Sequence, residues 1–323
     1  MKAVVYRRFG SAEVLSCEEI DKPSIDENQV LIRVRAAAIN PMDWRLMRGK
    51  PYLVRFFLGL GRSKIKRVGH DVAGYVEEVG AAVNEFKRGD AVFGTCNGAC
   101  AEYAIAHESA LVFKPEQITF EQAAAVPIAA LTALQGLRDK GGVREGNSVL
   151  VNGAAGGIGT FAVQIAKAFG AEVTGVCSGR NMNLVRSIGA DYAIDYTQQN
   201  FTQGERRYDL IFDVIANHSL RACIRALKPN GTYVVGGGST AGAILWRWLK
   251  TIILSWIRKE KLTVLMTRRN KNDLGVLRDL LDCGKIKSVI DKRYRLEETA
   301  QAIRYLEQGH ARGKVIIDVN ASS

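Results

Sequence analysis

The chain has 323 residues, enough for two domains of ordinary size, each with its own buried core. Its apolar and charged fractions are those of a soluble globular protein, and no window of 18 or more uncharged apolar residues offers a transmembrane helix. The net charge of +12 leaves nucleic acid, an anionic membrane or a polyanionic small molecule as partners; with no helix-turn-helix, zinc-finger or RNA-binding signature, nucleic acid is excluded.

The N-terminal Met1-Lys-Ala-Val-Val-Tyr6 reads as an apolar strand followed at once by Arg7-Arg8, and a signal peptide is not expected there. The six cysteines (Cys17, Cys96, Cys100, Cys177, Cys223 and Cys283) fit free thiols in a reducing compartment, and a cytoplasmic protein is expected. Further strands are predicted at Val30–Arg35, Gly74–Gly80 and Asp90–Gly94, joined in part by the polar turn Asn84–Asp90. No long helical pattern interrupts them, so residues 1 to about 120 read as a small β-rich, barrel-like domain. A helix is predicted from Phe120 to Val126, with Thr119 as its N-cap.

Strands and helices then alternate. Ser148–Asn152 is a strand, Gly157–Gly170 a helix, Glu172–Cys177 a strand and Met182–Ile188 a helix. Asp209–Asp213 is a strand, Leu220–Leu227 a helix and Tyr233–Val235 a strand. Such alternation builds a doubly wound parallel sheet covered on both faces. At the C-terminus, helices are predicted at Leu274–Cys283 and Leu296–Gln308, and a last strand at Lys314–Asp318.

Val149-Leu-Val-Asn-Gly-Ala-Ala-Gly-Gly-Ile-Gly-Thr160 lies between a strand and a helix. A glycine turn there lets the backbone approach a pyrophosphate, and the helix N-terminus supplies N–H groups and a favourable dipole. Ala155, Gly156, Gly157 and Ile158 form the loop; Ala154 stands where the usual G-x-G-x-x-G has its first glycine. The next strand ends in Val176-Cys-Ser-Gly-Arg-Asn181, without the acid that would hold a ribose 2′-hydroxyl. Ser178 can donate to a 2′-phosphate, Arg180 can pair with it and Asn181 completes the turn, so NADPH is the expected cofactor.

With these blocks in place the chain resembles a known family. Ala38-Ile-Asn-Pro-Met-Asp-Trp44, Gly69-His-Asp-Val-Ala-Gly74, Gly89-Asp-Ala-Val-Phe-Gly94, Leu131-Thr-Ala133, Asn152–Lys167 and Ala311-Arg-Gly-Lys-Val315 follow the order found in medium-chain dehydrogenases/reductases, in the zinc-free quinone oxidoreductase (zeta-crystallin-like) branch. The resemblance implies an α/β protein with a GroES-like β-rich catalytic domain over 1–120, a Rossmann NADP-binding domain over 121–269, and a return segment, 270–323, completing the first domain. The cofactor is then expected in the cleft between the domains. Asn40 is implied beside the nicotinamide and substrate, Thr132 near the nicotinamide and Tyr196 near the adenosine phosphate, while Gly236, Gly313 and Lys314 close around the cofactor. A homodimer or a monomer is expected.

Zinc relatives hold their catalytic metal with a cysteine, a histidine and a second cysteine. Here Asn40 replaces the first cysteine, His70 remains, and Ala125-Val-Pro-Ile-Ala129 carries no second one; no metal site is expected. Without a Lewis acid the fitting acceptor is a quinone or an α,β-unsaturated carbonyl, whose charge delocalises onto an oxygen, with Asn40 and the Tyr52 hydroxyl as candidate donors. The alternative is a non-catalytic NADPH-binding redox sensor or scaffold, which needs the same glycine loop; a zinc alcohol dehydrogenase is the third reading.

One segment stands outside this scheme. Residues 246–271 carry eight Lys/Arg against Glu260 alone, and 55–67 carry five with no acid. Leu245, Leu249, Ile252 and Trp256 form an apolar stripe at helical spacing, beside Trp246, Trp248, Arg247, Lys250, Arg258, Lys259 and Lys261. Basic helices with aromatic residues lie in lipid interfaces, which suggests peripheral contact with an anionic membrane. A Rossmann helix must also bury one face on its sheet, and that accounts for much of the stripe, though less well for the basic residues clustered with tryptophan.

Overall fold

The computed structural model describes residues 1–49, 65–238, 241–255 and 260–319, without the side chains of 241–245, 254 and 255. They form two compact units: Met1–Ala129 with Arg269–Cys283 and Ser288–Ser323, and Ala130–Arg268 with Gly284–Lys287.

In chain order the first unit begins with β1 (Lys2–Tyr6), β2 (Ser16–Glu19), β3 (Gln29–Ile39), α1 (Pro41–Arg48), β4 (Lys66–Arg67), β5 (Asp71–Val79), β6 (Ala91–Thr95), β7 (Tyr103–His107), β8 (Leu111–Phe113) and α2 (Phe120–Ala124). The helix α1 was not expected. Its signals are short but complete: Asn40 precedes Pro41 at the first helical position, the Asn40 N–H donates to Asp43 Oδ2 (2.6 Å), and Gly49, at φ +60°, stops the helix in the left-handed region. The expected cap of α2 is present, since Gln122 N–H donates to Thr119 Oγ1 (3.2 Å) and Thr119 N–H to Gln122 Oε1 (2.8 Å).

A helix α3 (Pro127–Gln135) precedes the alternating region, whose strands are β9 (Ser148–Asn152), β10 (Glu172–Cys177), β11 (Tyr192–Asp195), β12 (Tyr208–Asp213), β13 (Leu227–Val235) and β14 (Lys261–Val264). The helices between them are α4 (Gly157–Ala168), α5 (Met182–Ser187), α6 (Leu220–Arg225) and α7 (Ala241–Ser255). α6 ends two residues before the expected Leu227, which instead opens β13; Asn230, at φ +62°, carries the chain through the Lys-Pro-Asn-Gly stretch that precludes a helix. The chain closes with α8 (Lys271–Asp282), β15 (Ile290–Arg295), α9 (Thr299–Glu307) and β16 (Lys314–Asp318). The expected helix over 296–308 is a single 3-10 turn, Leu296–Glu298, followed by α9.

In the first unit β15-β16-β3-β5-β6-β8 form one sheet, with β7 also paired to β3, and β2-β1-β4 form a small antiparallel one. The register sets Val315 of β16 opposite Ile39 of β3, and Ala38 of β3 opposite Asp71 of β5. The end of β3 and the starts of β5 and β16 therefore share one edge.

In the second unit the six strands run parallel in the order β11-β10-β9-β12-β13-β14. The order reverses between β9 and β12, so β9 and its neighbours present their carboxyl ends where doubly wound sheets bind ligands. All five residues of β9 are buried, as expected of a parallel strand covered on both faces.

The helix α7 packs inside out. Arg247 and Thr251 are buried and Trp248 packs against the Tyr208–Tyr233–Leu262 core, whereas Trp246, Leu249, Ile252 and Ile253 lie outward, 46% to 59% exposed. The stripe through Leu249 and Ile252 thus does not serve the sheet; the second half of the expected patch, 256–259, is outside the described residues. What draws α7 inward is charge. Arg247 donates to the Tyr233 hydroxyl (Nε, 3.0 Å) and to the His218 carbonyl (Nη1, 2.6 Å), and lies 3.5 Å from the buried Asp213 carboxylate, to which Tyr233 also donates (2.8 Å). Burying one of these charges alone would cost several kcal/mol; buried together and hydrogen-bonded they hold the helix in one orientation.

Candidate functional site

Each unit carries part of the expected site. In the second unit the glycine loop leaves β9 with Gly153 at φ +92°, and the N–H groups of Gly153 and Ala154 both donate to the Val176 carbonyl (3.1 and 3.0 Å), pinning the loop to β10. A Cβ on Gly159 would fall 2.0 Å from the Gly153 carbonyl oxygen, so this glycine is required for the close approach of α4. Ala154 takes the usual glycine position because the space is yielded from across the sheet: a Cβ on Gly175 of β10 would lie 2.9 Å from that of Ala154.

The loop fits a pyrophosphate. No side chain caps the N-terminus of α4 and no acid stands in its first turn; the Gly156 N–H is spent on the Gly153 carbonyl (3.1 Å), and the N–H groups of Gly157 and Ile158 that follow, beside Ala155, keep their donors and the helix dipole for an anion. A Cβ on Gly156 would meet nothing nearer than 3.5 Å, which leaves the front of the loop open.

At the end of β10, Asn181 Nδ2 donates to Ser178 Oγ (3.1 Å), while Asn181 Oδ1 is buried without a hydrogen-bond partner. An orphaned buried acceptor beside the loop suits a hydroxyl-bearing ligand. Arg180 and Tyr196 are exposed around the same turn, and the Tyr196 N–H donates to the Cys177 carbonyl (3.0 Å). Sequence reasoning missed Asp195, which the end of β11 brings to this turn. Hydrogen bonds from the Thr197 N–H (3.0 Å) and hydroxyl (2.8 Å), and from the Gly179 N–H, hold its carboxyl below the ordinary range. A Cβ on Gly179 would lie 2.5 Å from that carboxylate, which explains the glycine.

Gly236 and Thr132 complete the second unit's set. The Gly236 N–H donates to the Asp213 carbonyl (3.0 Å), and Asp213 Oδ1 accepts from Asn152 Nδ2 (2.8 Å), so the carboxyl ends of β9, β12 and β13 are tied together. The Thr132 hydroxyl is buried against that of Thr267 (2.9 Å).

In the first unit the structure gathers Asn40, Gly313 and Lys314, and adds three residues that the sequence did not join to them. The Lys314 ammonium, 2% exposed, donates to Asn40 Oδ1 (2.6 Å) and to Asp71 Oδ2 (3.1 Å). Asn40 Nδ2 donates to the same Asp71 oxygen (2.9 Å), and the other Asp71 oxygen accepts the Ile128 N–H (3.0 Å). Beside them Asp43 Oδ1 and His70 Nδ1 are 2.5 Å apart. The signal was available in part: Asp43 and the His-Asp pair both belong to the quoted motifs, yet Asn40 and Lys314 are 274 positions apart. Gly313, at φ +106°, has no room for a Cβ, which would lie 2.2 Å from the Val289 carbonyl oxygen. Tyr52 lies outside the described residues. Among the described residues no group of three or more His, Cys, Asp or Glu is placed to hold a metal.

Residues 26–116 match the alcohol dehydrogenase GroES-like domain and residues 188–317 the zinc-binding dehydrogenase family. The chain is 35% identical over 98% of its length to the 2-methylene-furan-3-one reductase of Solanum lycopersicum, covering 79% of that protein. It is equally identical, with the same two coverages, to the NADPH-dependent alkenal/one oxidoreductase, chloroplastic, of Arabidopsis thaliana. Its fold matches the quinone oxidoreductase from Coxiella burnetii with a TM-score of 0.87, at 31% identity and 99% coverage of both chains.

Arg180 is the one cation of the Ser178–Asn181 turn. An Arg–phosphate pair contributes roughly 1.5–3 kcal/mol, about 10- to 100-fold in affinity. Replacing Arg180 with Ala should weaken NADPH by that factor in a fluorescence titration and leave NADH within about twofold; equal weakening of both would contradict the assignment.

Proposed function

This chain belongs to the medium-chain dehydrogenase/reductase superfamily, among its quinone and alkenal oxidoreductases, and we propose that it is a zinc-independent, NADPH-dependent reductase of quinones and α,β-unsaturated carbonyls. The bound cofactor supplies a hydride. The glycine loop and the N-terminus of α4 would hold its pyrophosphate, and Ser178, Arg180, Asn181 and Tyr196 its adenosine phosphate. What the chain must add is a place for the negative charge that appears on the acceptor oxygen.

The Asn40 amide carries this reading. Its oxygen is fixed by Lys314 and one of its two N–H groups by Asp71, which leaves the second N–H without a partner among the described residues. A donor held rigid before the charge develops pays no reorganisation during the reaction, and one such donor contributes about 2.7–4 kcal/mol to the transition state. Lys314 places a full positive charge one hydrogen bond behind it. Tyr52 is proposed as a second donor.

The same cluster argues for zinc independence. In zinc relatives the residue at position 40 is a thiolate; here it is an amide that already meets a buried ammonium at 2.6 Å. A divalent cation at this place would find no thiolate, and an amide oxygen already committed to Lys314.

The outward face of α7 supports a further proposal, a peripheral contact with an anionic bilayer from which a lipophilic quinone is drawn. Trp246, Leu249, Ile252 and Ile253 lie outward, and Lys250 stands 5.0 Å from the centre of the Trp246 ring. The surrounding sequence is basic, although Arg247 is turned into the core and does not contribute. No helix among the described residues is long and apolar enough to cross a membrane, so the contact proposed is a surface one.

Two measurements test these proposals. Prolonged dialysis against a strong chelator should leave the alkenal-dependent oxidation of NADPH unchanged; loss of one tightly bound zinc per chain together with the activity would overturn the metal-free site. Co-sedimentation should favour anionic over neutral vesicles, each Lys or Arg near the surface adding about 1 kcal/mol, and should weaken in high salt. No salt-sensitive preference, or protection of Trp246 by self-association alone, would end the membrane proposal.

A further inference from the structure

Asp43 and His70 lie within the polar cluster but have no part in fixing Asn40 to Asp71 and Lys314. The Asp43 side chain is fully buried and that of His70 is 14% exposed. Asp43 spends one oxygen on the Asn40 backbone N–H (2.6 Å) and the other on His70 Nδ1 (2.5 Å). A carboxylate accepts, so Nδ1 carries the hydrogen and the imidazole is oriented with Nε2 on its far side. Nε2 has no hydrogen-bond partner among the described residues. The His70 carbonyl accepts the Cys96 N–H (2.8 Å), which holds the backbone behind the ring. One carboxylate therefore positions both the imidazole and the start of the helix that Asn40 precedes.

We propose that His70, oriented by Asp43, is the proton donor to the acceptor oxygen in the reduction of α,β-unsaturated carbonyls. The inference rests on the reductase reading above. Hydride adds to the β-carbon, the C=C electron pair moves to the α-carbon and carbonyl, and the oxygen becomes an enolate. His70 gives its Nε2 proton to that oxygen and keeps the Nδ1 hydrogen that it donates to Asp43. The enol tautomerises to the saturated ketone or aldehyde after release, and solvent returns a proton to the partly exposed imidazole. One hydride and one proton are added in total. A quinone makes a smaller demand, because two-electron reduction gives an aromatic hydroquinone anion that is stable enough to leave and take its proton from water. Chain and chemistry together imply an acceptor-dependent need for His70.

The variant His70→Asn retains a donor to Asp43 and removes Nε2. Its turnover of a 2-alkenal should fall about 100-fold or more, the usual contribution of a general acid, while turnover of a 1,4-benzoquinone falls less than about threefold and NADPH affinity measured by fluorescence is unchanged. In His70→Gly, added imidazole should restore alkenal turnover with saturation and leave quinone turnover alone. Equal loss with both acceptors, no loss with either, or no rescue by imidazole would overturn the proton-donor role. If the unaltered protein oxidises NADPH with neither acceptor, the reductase reading fails before the His70 variants are compared.

Discussion

The buried ammonium of Lys314 is the constraint on which the first unit's polar cluster turns. A lysine charge withdrawn from water costs several kcal/mol unless it is paired and hydrogen-bonded. Here Asp71 and the Asn40 carbonyl oxygen provide both. Bringing them together requires the last strand of the chain to lie beside the third, in one register, and requires a glycine just before Lys314 where the backbone passes too close to Val289 for a side chain. Asn40 follows the last residue of β3, Asp71 begins β5 and Lys314 begins β16. Sheet registry thus converts residues far apart in the chain into one fixed amide with a cation behind it.

The second unit, with its parallel Rossmann-like sheet, follows the same logic with different chemistry. Its expected residues cluster at the carboxyl ends of parallel strands, where helix N-termini and glycine turns leave N–H groups unspent. A second buried charge pair, Arg247 with Asp213, operates below that edge through the Tyr233 hydroxyl; burial and the Asp213 charge push the Tyr233 hydroxyl well above its ordinary pKa, so it remains a neutral donor. Because α7 turns Arg247 inward to this network, Trp246, Leu249, Ile252 and Ile253 are left facing outward.

Much of this was legible in the sequence where the physics is local. Ser148–Asn152, Glu172–Cys177 and Lys314–Asp318 read at their observed bounds, since each is an apolar run flanked by residues that break strands. The Thr119 cap and the glycine loop have equally local causes. α1 escaped because eight mixed residues give little periodicity, although the Asn-Pro-Met-Asp start carries a helix signal of its own. The orientation of α7 was not legible, because apolar spacing defines a face without saying which way it points; a buried arginine decided it. The polar cluster was half visible. Asn40 and Lys314 were singled out through the family's motifs, whereas their joining through Asp71, and the pairing of Asp43 with His70, depend on strand pairing that no local pattern states. Ala154 was read as a departure from the glycine motif, and its compensation by Gly175 lies across the sheet.

The central claim is that a rigid amide and a buried ammonium, in place of a metal, suit this site to reducing activated double bonds rather than to oxidising alcohols. The direct measurement compares NADPH oxidation with a 2-alkenal, a cyclic enone and a 1,4-benzoquinone against NADP⁺ reduction with a series of primary and secondary alcohols, using the same enzyme preparation. The account predicts turnover with the electron-poor acceptors and none with the alcohols. Alcohol oxidation at a comparable rate would contradict it.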